Sequence, residues 1–195
     1  MIYLMAIIAY LLGSINMAIL ICMLFRLPSP RTIGSGNPGA TNVLRLGGKL
    51  PAALTLLGDV LKGLIPVIIA KYLQLTFFEI SLIGLLSIIG HIWPVFFKFK
   101  GGKGVATFIG VTFAFSWVIG ICFVITWLII ALISRYSSLA ALIATIEVPF
   151  IVFFLYGFKP MVVFSIIAII ILLKHHGNIK RLLKGSESKI GQKAK

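Results

Sequence analysis

Acidic side chains are scarce in this sequence. Only four of its 195 residues are Asp or Glu, and they are dispersed along the chain at Asp59, Glu79, Glu147 and Glu187. Phosphoryl chemistry that depends on a divalent metal needs several oxygen ligands close together. We therefore predict no metal site, no metal-dependent phosphotransferase and no cofactor.

Paired cysteines and familiar catalytic arrangements are also missing. Cys22 and Cys122 lie in separate apolar runs, and their spacing predicts neither a disulfide nor a metal site. No Ser/His/acid arrangement is discernible, and no His-x4-Asp pair occurs. The missing pair argues against a glycerolipid acyltransferase that uses acyl-CoA or acyl carrier protein.

Hydrophobic residues dominate what is present. They make up 60% of the chain, charged residues make up only 11%, and the mean hydropathy is +1.14. This composition is not that of a soluble domain. We predict an all-α integral membrane protein, with one multi-pass membrane domain over 1–183 and a basic disordered tail over 184–195.

The formal net charge of +14 is unevenly distributed along the chain. Four short intervals, 26–49, 98–103, 135 and 174–195, hold four, three, one and seven of the eighteen cations. Lys and Arg concentrate in the cytoplasmic loops of membrane proteins, so we predict that all four intervals lie on the cytosolic face. Cations placed in this way indicate contact with anionic lipid rather than with nucleic acid.

The apolar runs predict about seven transmembrane helices, with the N-terminus outside and the C-terminus in the cytosol. The uncharged stretch 104–134 is long for one span and short for two. Two segments keep the basic intervals on one side, and the first of them need not cross the whole bilayer. The predicted helices lie near 2–25, 51–71, 79–97, 104–117, 118–134, 137–157 and 159–174.

Four polar segments join these helices on the cytosolic side. We expect them to converge on one pocket, and they comprise residues 31–49, 98–104, 135–138 and 174–181. In the last two, Ser137 and Ser138 are expected to cap a helix, whereas His175 and Asn178 lie one helical turn apart and can present donors together.

The first polar segment runs Gly34-Ser-Gly-Asn-Pro-Gly-Ala-Thr-Asn-Val-Leu-Arg45. Its glycines match a dinucleotide fingerprint and a Walker A loop without its lysine, but both need a buried strand before them and a helix after them in a parallel sheet. We expect neither here. A glycine turn with free N–H groups, neutral donors and Arg45 predicts a phosphate site. A tight interhelical loop with capping residues is the alternative.

The second polar segment, Gly90–Thr107, contains the turn Lys100-Gly-Gly-Lys-Gly104 after Pro94. Glycines here leave the first N–H groups of a helix uncovered, where the dipole favours an anion and Lys103 can pair with it. Lys100 either contacts phosphate or flanks the membrane. His91 is a base, a phosphate donor or a packing histidine.

Charged residues also occur inside the predicted spans. Asp59 and Lys62 are neighbours on one helix face, and they form either a self-neutralising pair or a group in which Asp59 holds Lys62 towards an anionic substrate. Glu147 has no evident partner, and the sequence assigns no role to it or to His176.

Three motifs together resemble a known family. The segments Gly34–Arg45, Gly90–Thr107 and His175–Asn178 closely resemble the bacterial membrane glycerol-3-phosphate acyltransferases that use acyl phosphate. Length, helix pattern and motif order extend the resemblance over essentially the whole chain. It implies transfer of an acyl group from acyl phosphate to the 1-hydroxyl of sn-glycerol 3-phosphate, giving lysophosphatidate and phosphate. It also implies the bacterial inner membrane, a cytosolic active site and no obligate protein partner.

The resemblance and the residue chemistry together give a hypothesis for the site. Acyl phosphate is expected at Ser35, Gly36, Asn37, Gly39, Thr41 and Asn42. Glycerol 3-phosphate is expected at Arg45, Lys62, Lys100, Gly102, Lys103, Gly104, His175 and Asn178. The catalytic candidates are Ser35, Arg45, Lys103, His91 and His175, with orientation and charge neutralisation supplying most of the acceleration.

Two other functions remain open from the sequence. A small organophosphate transporter would use the basic loops as a vestibule, but alternating access needs polar motifs on both faces and a repeat, which is not visible. A membrane adaptor that binds anionic lipid would explain the basic tail but not the glycine loops.

Overall fold

The computed structural model describes residues 1–192, which form a bundle of ten α-helices and one 3-10 turn with no strand among them. The helices are α1 Ile2–Gly13, α2 Met17–Leu24, α3 Ala40–Gly47, α4 Lys49–Tyr72, α5 Phe77–Ile92, α6 Val105–Phe115, α7 Trp117–Ser134, α8 Ser137–Tyr156, α9 Phe158–Lys174 and α10 His176–Leu183, and the 3-10 turn is Val95–Phe97. The all-α membrane class predicted from the sequence is confirmed.

By length and hydropathy alone, four to six candidate spans are found in the described chain, against the predicted seven. Four helices of the described chain are long and apolar enough to cross a bilayer: α4, α5 with its 3-10 turn, α7 and α8. The bent pairs α1 and α2 (40°) and α9 and α10 (59°) bring the number to six if each pair is one span. Helix α6 has only 11 residues. It is therefore about 16 Å long, against a hydrocarbon core of about 30 Å.

The first predicted helix is broken. Residues 2–25 form two helices because the Asn16 side chain caps α2, accepting a hydrogen bond from Ile19 N at 3.1 Å. An Asn in this position competes with helical hydrogen bonding and starts a new helix. The break leaves the backbone of 14–16 inside the bundle, where its carbonyl groups need partners other than water.

The uncharged stretch 104–134 folds as two helices, as predicted. Ser116 has an extended backbone (φ −156°) and separates α6 from α7. Val105 at the start of α6 and Leu128 near the end of α7 line the same cavity. The chain therefore runs away from the cavity in α6 and returns in α7. The end of α6 reaches the far end of the bundle, where Lys71 Nζ of α4 donates to Ala114 O at 3.0 Å and Phe115 packs against Tyr156 of α8.

Helix α3 was not predicted. Residues 40–47 are polar enough to resemble a loop, but Val43 is fully buried and packs with Ala18, Cys22 and Leu27. Gly48 ends the helix with a φ of +79°, a conformation that favours glycine. The short amphipathic helix holds its polar face towards the cavity described below.

Helices α4 and α6 lie in backbone contact. A Cβ added at Gly63 would lie 2.2 Å from Thr107 O, and one added at Gly110 would lie 2.0 Å from Val60 O. Only glycine permits this approach, because no real Cβ sits so close to a backbone oxygen. The contact leaves no gap between the two helices at this depth.

Candidate functional site

One large cavity receives all four polar segments. It has a volume of about 1440 Å³ and an apolar part between α4, α6 and α7. The predicted site residues that line it are Ser35, Asn37, Gly39, Thr41, Asn42, Arg45, His91, Lys103, Gly104, His175 and Asn178. The convergence predicted for segments 31–49, 98–104, 135–138 and 174–181 is confirmed as geometry. Four predicted residues do not line the cavity: Gly36, Lys62, Lys100 and Gly102.

Three cations meet near one carboxylate in the polar part of the cavity. Burial lowers the pKa of Lys103 to about 8, the nearby Glu187 opposes this shift, and Arg181 and Arg45 add to it by repulsion. These effects place Glu187, Arg181 and Arg45 within electrostatic reach of Lys103. Arg45 and Lys103 were predicted from sequence, whereas Arg181 and Glu187 were not.

Glu187 is held by three side chains. Its carboxylate accepts hydrogen bonds from Ser138 Oγ at 2.7 Å, Asn178 Nδ2 at 2.6 Å and Arg181 Nε at 2.7 Å. Burial alone raises the pKa of Glu187, but these bonds outweigh it and keep the pKa below the ordinary value. The carboxylate is therefore charged at neutral pH and joins α8 to α10.

The contacts of Glu187 show that the described part of the C-terminal segment is ordered against the bundle. The sequence predicts a disordered tail over 184–195, yet Glu187 lines the cavity and Ile190 N donates to Arg135 O at 2.7 Å. The described part of this segment, 184–192, thus packs against the bundle. Residues 193–195 of the predicted tail lie outside the described residues. The signal in the sequence was Glu187 itself, because it is the single acidic residue in a basic tail.

Ser138 does not cap a helix. The N-cap residue of α8 is Tyr136, and no side chain caps that terminus. The Ser138 hydroxyl instead bonds to Glu187 across 49 positions of sequence. The capping interpretation was wrong because it used only local sequence, and the carboxylate comes from the far end of the chain.

His175 presents one ring nitrogen to the cavity. Its Nδ1 lies 2.8 Å from Ile171 O, and a carbonyl oxygen only accepts, so Nδ1 carries the proton and Nε2 is an acceptor. The neighbouring His176 is exposed, its Nδ1 lies 3.1 Å from Leu173 O, and it does not line the cavity. Of the two, only His175 belongs to the site.

Asn42 organises the first loop. Its amide donates to Pro30 O at 2.9 Å and Ile33 O at 3.0 Å, and its Oδ1 accepts from Ser35 N at 3.1 Å. These bonds use both the donors and the oxygen of a side chain that is buried. Asn42 was predicted as a ligand, but the structure gives it the different task of shaping the loop that carries Ser35.

The N-terminus of α3 opens into the cavity. Gly39 is its N-cap and no side chain caps it, while Ala40 and Thr41 in its first turn line the cavity. The first N–H groups of a helix have no acceptor within the helix and favour an anion. A helix therefore does follow the glycine motif, but no strand occurs among the described residues, so the parallel sheet of a dinucleotide or Walker A site is not found there.

Gly102 packs instead of presenting an N–H group. Gly101 N donates to Ile92 O at 3.1 Å and Gly102 N donates to His91 O at 3.2 Å. A Cβ added at Gly102 would lie 2.3 Å from His91 Nε2 and 2.9 Å from Pro38 O. The predicted ligand role of Gly102 is replaced by close contact between the second loop and the first.

In the rest of the second loop, Gly104 lines the cavity as predicted, whereas Lys100 does not. Gly104 has a φ of +92° and is the N-cap of α6, and it lines the cavity with Val105 and Ala106. The N-terminus of α6 therefore faces the cavity beside Lys103. Lys100 is exposed, and its carbonyl oxygen accepts a hydrogen bond from Arg31.

Lys62 lies in a buried ion pair behind the cavity. Its Nζ is 2.8 Å from Asp59 Oδ1 and donates to Ile15 O at 2.7 Å. Ile15 belongs to the break between α1 and α2, so Lys62 satisfies a carbonyl that the broken helix leaves free. The self-neutralising pair is the alternative that the geometry supports, and Lys62 is not placed to bind substrate.

His91 belongs to the same buried group. Its Nδ1 is 3.1 Å from Thr107 Oγ1 and 3.6 Å from Asp59 Oδ1, and the side chain is 4% exposed. Its Nε2 lies against Gly102. Both ring nitrogens therefore face protein groups, which is the arrangement of a packing histidine.

One further sequence question receives a structural answer. Glu147 of α8 accepts a hydrogen bond from Thr126 Oγ1 of α7 at 2.8 Å, which is the partner that the sequence did not reveal. Within residues 1–192, no three His, Cys, Asp or Glu side chains lie close enough together to hold a metal ion.

Apolar helices around a glycine-lined cavity define an integral membrane protein in which a cationic cavity lies beside an apolar groove. The chain belongs to the glycerol-3-phosphate acyltransferase family, because the family model of that description matches residues 3–185. It is similar to the glycerol-3-phosphate acyltransferase of Francisella tularensis subsp. novicida, with 63% identity over 187 residues that cover 96% of this chain and 92% of the relative. The Francisella philomiragia protein of the same name is 60% identical over 191 residues, 98% of this chain and 94% of that one.

Solved structures agree with this assignment. The crystal structure of PlsY, an integral membrane glycerol 3-phosphate acyltransferase, in its glycerol 3-phosphate form has a TM-score of 0.93 and 42% identity, covering 97% of this chain and 96% of that one. The lysophosphatidic acid form of PlsY has a TM-score of 0.90 and 41% identity, covering 97% and 95%. The family resemblance found in the sequence is confirmed.

Proposed function

We propose that this protein transfers a fatty acyl group from acyl phosphate to the 1-hydroxyl of sn-glycerol 3-phosphate, which gives lysophosphatidate and inorganic phosphate. The acceptor follows from relatives that are named for it and from a neighbour crystallised in glycerol 3-phosphate and lysophosphatidic acid forms. The observation that carries the proposal is the meeting of three cations and two helix N-termini at the mouth of an apolar groove.

The charges of the cavity suit the phosphate of glycerol 3-phosphate. Arg45, Lys103 and Arg181, taken with the carboxylate of Glu187, leave two positive charges, because the other carboxylate of the cavity lining, Asp59, is paired with Lys62. A phosphate monoester carries about −1.5 to −2 at pH 7. We assign this phosphate to the three cations, with Asn178 and His175 beside it in the cavity wall.

Acyl phosphate is assigned to the first loop. Ser35, Asn37 and Thr41 line the cavity next to the N-terminus of α3, where free N–H groups and the helix dipole favour the phosphate. Gly36 and Gly39 let the loop make its turns, and the φ of Gly36 is +67°. The acyl chain then extends into the apolar groove.

The reaction needs one bond to form and one to break. The 1-hydroxyl oxygen attacks the acyl carbonyl carbon, the bond from that carbon to the phosphate oxygen breaks, and phosphate leaves. Acyl phosphate already has a good leaving group, so orientation and charge neutralisation by the cations supply most of the acceleration. The proton of the hydroxyl passes either to the leaving phosphate or to Nε2 of His175.

Two other catalytic assignments have less support. His91 borders the cavity, but its Nδ1 lies beside Thr107 and Asp59, and its Nε2 lies against Gly102. An acyl-enzyme intermediate on Ser35 would need a base beside the hydroxyl. The hydrogen bond to Ser35 Oγ comes from Asn37 N at 3.4 Å, which does not activate a nucleophile.

We place the site on the cytosolic side of the bacterial inner membrane. All the basic loops adjoin the cavity or flank it, and such loops are retained in the cytosol. This orientation puts the N-terminus outside and exposes the polar part of the cavity to soluble glycerol 3-phosphate. The acyl donor enters from the lipid side, and the reaction requires neither cofactor nor partner protein.

Replacing one cation tests the assignment. Arg45→Ala removes a charge that faces the bound phosphate, and we expect kcat/KM for glycerol 3-phosphate to fall about 10- to 100-fold, the cost of one charge-assisted hydrogen bond. Arg26→Ala is the matched control, because Arg26 is exposed and lies outside the cavity. Equal kinetics for the two variants would remove Arg45 from the site.

A further inference from the structure

The apolar part of the cavity is a trough between three helices. Helix α6 forms its base, and α4 and α7 form its walls. The trough begins beside Lys103, where α6 starts. Its apolar lining comprises Leu56, Val60, Ile109, Val124, Trp127 and Leu128.

The trough is open sideways. Leu56 on one wall is 44% exposed and Leu128 on the other is 47% exposed. In a membrane-spanning bundle these side chains face lipid, so an acyl chain enters between them. The sideways opening does not set how far the chain can extend along the trough.

The inner end of the trough is closed by one aromatic ring. The lining of α6 stops at Ile109, and that of α7 stops at Val124. One turn further along the same faces are Phe113 and Gly120. A Cβ added at Gly120 would lie 2.5 Å from Cγ of the Phe113 ring, so the ring rests directly on the backbone of α7.

The third side is closed at the same level. A Cβ added at Gly110 would lie 2.0 Å from Val60 O and 2.9 Å from Leu64 N, which places α4 against α6 just before Phe113. No gap therefore lets a chain pass between these helices. The distance along α6 from Val105 to Phe113 is about 12 Å, from eight residues at 1.5 Å each.

We propose that Phe113, resting on Gly120, is the floor of the acyl groove and determines which acyl-chain lengths the enzyme prefers. This inference rests on the proposed function, since it assumes that the trough holds the acyl chain of the substrate. An extended octanoyl chain is shorter than the trough and does not reach the ring. An extended palmitoyl chain is longer, and the ring turns its end out towards lipid.

The test compares two donors in three proteins. We expect Phe113→Ala to open the floor and raise the ratio of kcat/KM for palmitoyl phosphate to that for octanoyl phosphate by about tenfold, the low end of what enclosed pockets achieve per methylene. Phe113→Trp fills the end of the trough and lowers the same ratio. The octanoyl value stays constant, because that chain does not touch the ring.

The control is Phe154→Ala on α8, a substitution of the same kind at a residue that is 81% exposed and outside the cavity. It leaves the ratio unchanged. If Phe113→Ala does not fold, Phe113→Leu shortens the side chain less and shifts the ratio in the same direction. A ratio that is equal in the wild type and in every folded Phe113 variant overturns the proposal.

A second measurement separates this proposal from the proposed function. If the wild type turns over neither acyl phosphate, the donor assignment fails. The floor is then tested by thermal shift with lysophosphatidates that carry an octanoyl or a palmitoyl chain. If Phe113→Ala changes the melting-temperature shift caused by the palmitoyl lysophosphatidate but not the shift caused by the octanoyl one, the result supports the floor. Equal shifts in the wild type and in Phe113→Ala overturn it.

Discussion

The charge of Lys103 predicts how activity depends on pH. Burial and the neighbouring arginines lower the pKa of Lys103 to about 8. In the free enzyme the ammonium therefore loses its proton as pH rises through about 8 rather than above 10. In our proposal this cation holds the phosphate of glycerol 3-phosphate, so we expect kcat/KM for this substrate to decline on the alkaline side of that pH.

The magnitude follows from the protonated fraction. Well above the pKa of Lys103 the charged form falls about tenfold per pH unit. With a pKa of about 8, kcat/KM is expected to fall by about eightfold between pH 8.5 and 9.5. In the bound complex the phosphate stabilises the ammonium, so the decline of kcat lies at higher pH. On the acid side, kcat/KM falls below about pH 6 as the substrate phosphate takes up its second proton.

The assay measures initial rates of phosphate release from palmitoyl phosphate at a series of glycerol 3-phosphate concentrations and pH values. Lys103→Arg keeps the charge at all working pH values and removes the alkaline decline. Lys103→Met removes the charge and gives a low kcat/KM without that decline. Lys98→Arg is the control, because Lys98 is exposed and outside the cavity.

An alkaline decline that persists unchanged in Lys103→Arg would refute this reasoning. It would mean that another group titrates, and the assignment of the phosphate to Lys103 would lose its electrostatic support. A wild-type profile that is flat up to pH 10 would refute it equally.

Three further substitutions test the structural roles. Gly102→Ala forces a methyl group against the His91 imidazole and the Pro38 carbonyl oxygen, so we expect activity to be lost. The control Gly177→Ala on α10 has room for the methyl group and keeps its activity. Equal activities of the two variants would contradict the packing role of Gly102. Lys62→Met leaves Asp59 buried without its cationic partner and lowers the unfolding free energy by about 3–5 kcal/mol. Adding Asp59→Asn restores part of this stability, and denaturant unfolding measures both variants. An altered KM for glycerol 3-phosphate in the double variant would contradict a structural role. Asn42→Ala removes three hydrogen bonds of the first loop and raises KM for acyl phosphate; a change in KM for glycerol 3-phosphate alone would contradict the assignment.

The helices were predictable because lipid imposes a simple rule. Long apolar runs must form helices, and the runs at 104–134, 137–157 and 159–174 become α6 to α9 within two residues of the predicted ends. The rule does not predict interruptions made by a single polar side chain. Asn16 breaks the first helix through one capping bond, which hydropathy does not detect.

The sequence predicted which segments form the site but not the role of each residue within them. Glycine-rich polar loops between apolar runs indicate an anion site, and Arg45, Lys103, His175 and Asn178 do line one cavity. The roles of single groups depended on partners that are distant in sequence. Glu187 reaches Ser138 across 49 positions, so no local pattern could reveal that contact.

Glycine was the hardest residue to interpret. The sequence shows three glycines around Lys103 but not which N–H groups are free. In the structure, Gly101 and Gly102 donate to carbonyl groups of α5, whereas Gly104 opens the N-terminus of α6 to the cavity. Tertiary hydrogen bonding decides between packing and ligand binding, and it follows from the fold rather than from spacing.

The most direct test of the central claim is the stoichiometry of the reaction. Purified protein receives palmitoyl phosphate and glycerol 3-phosphate, with a chelator present and coenzyme A absent. The account predicts that phosphate and lysophosphatidate appear in equal amounts, and only when both substrates are present. No lysophosphatidate from acyl phosphate, while vesicles that contain the protein accumulate glycerol 3-phosphate, would contradict the account and favour transport.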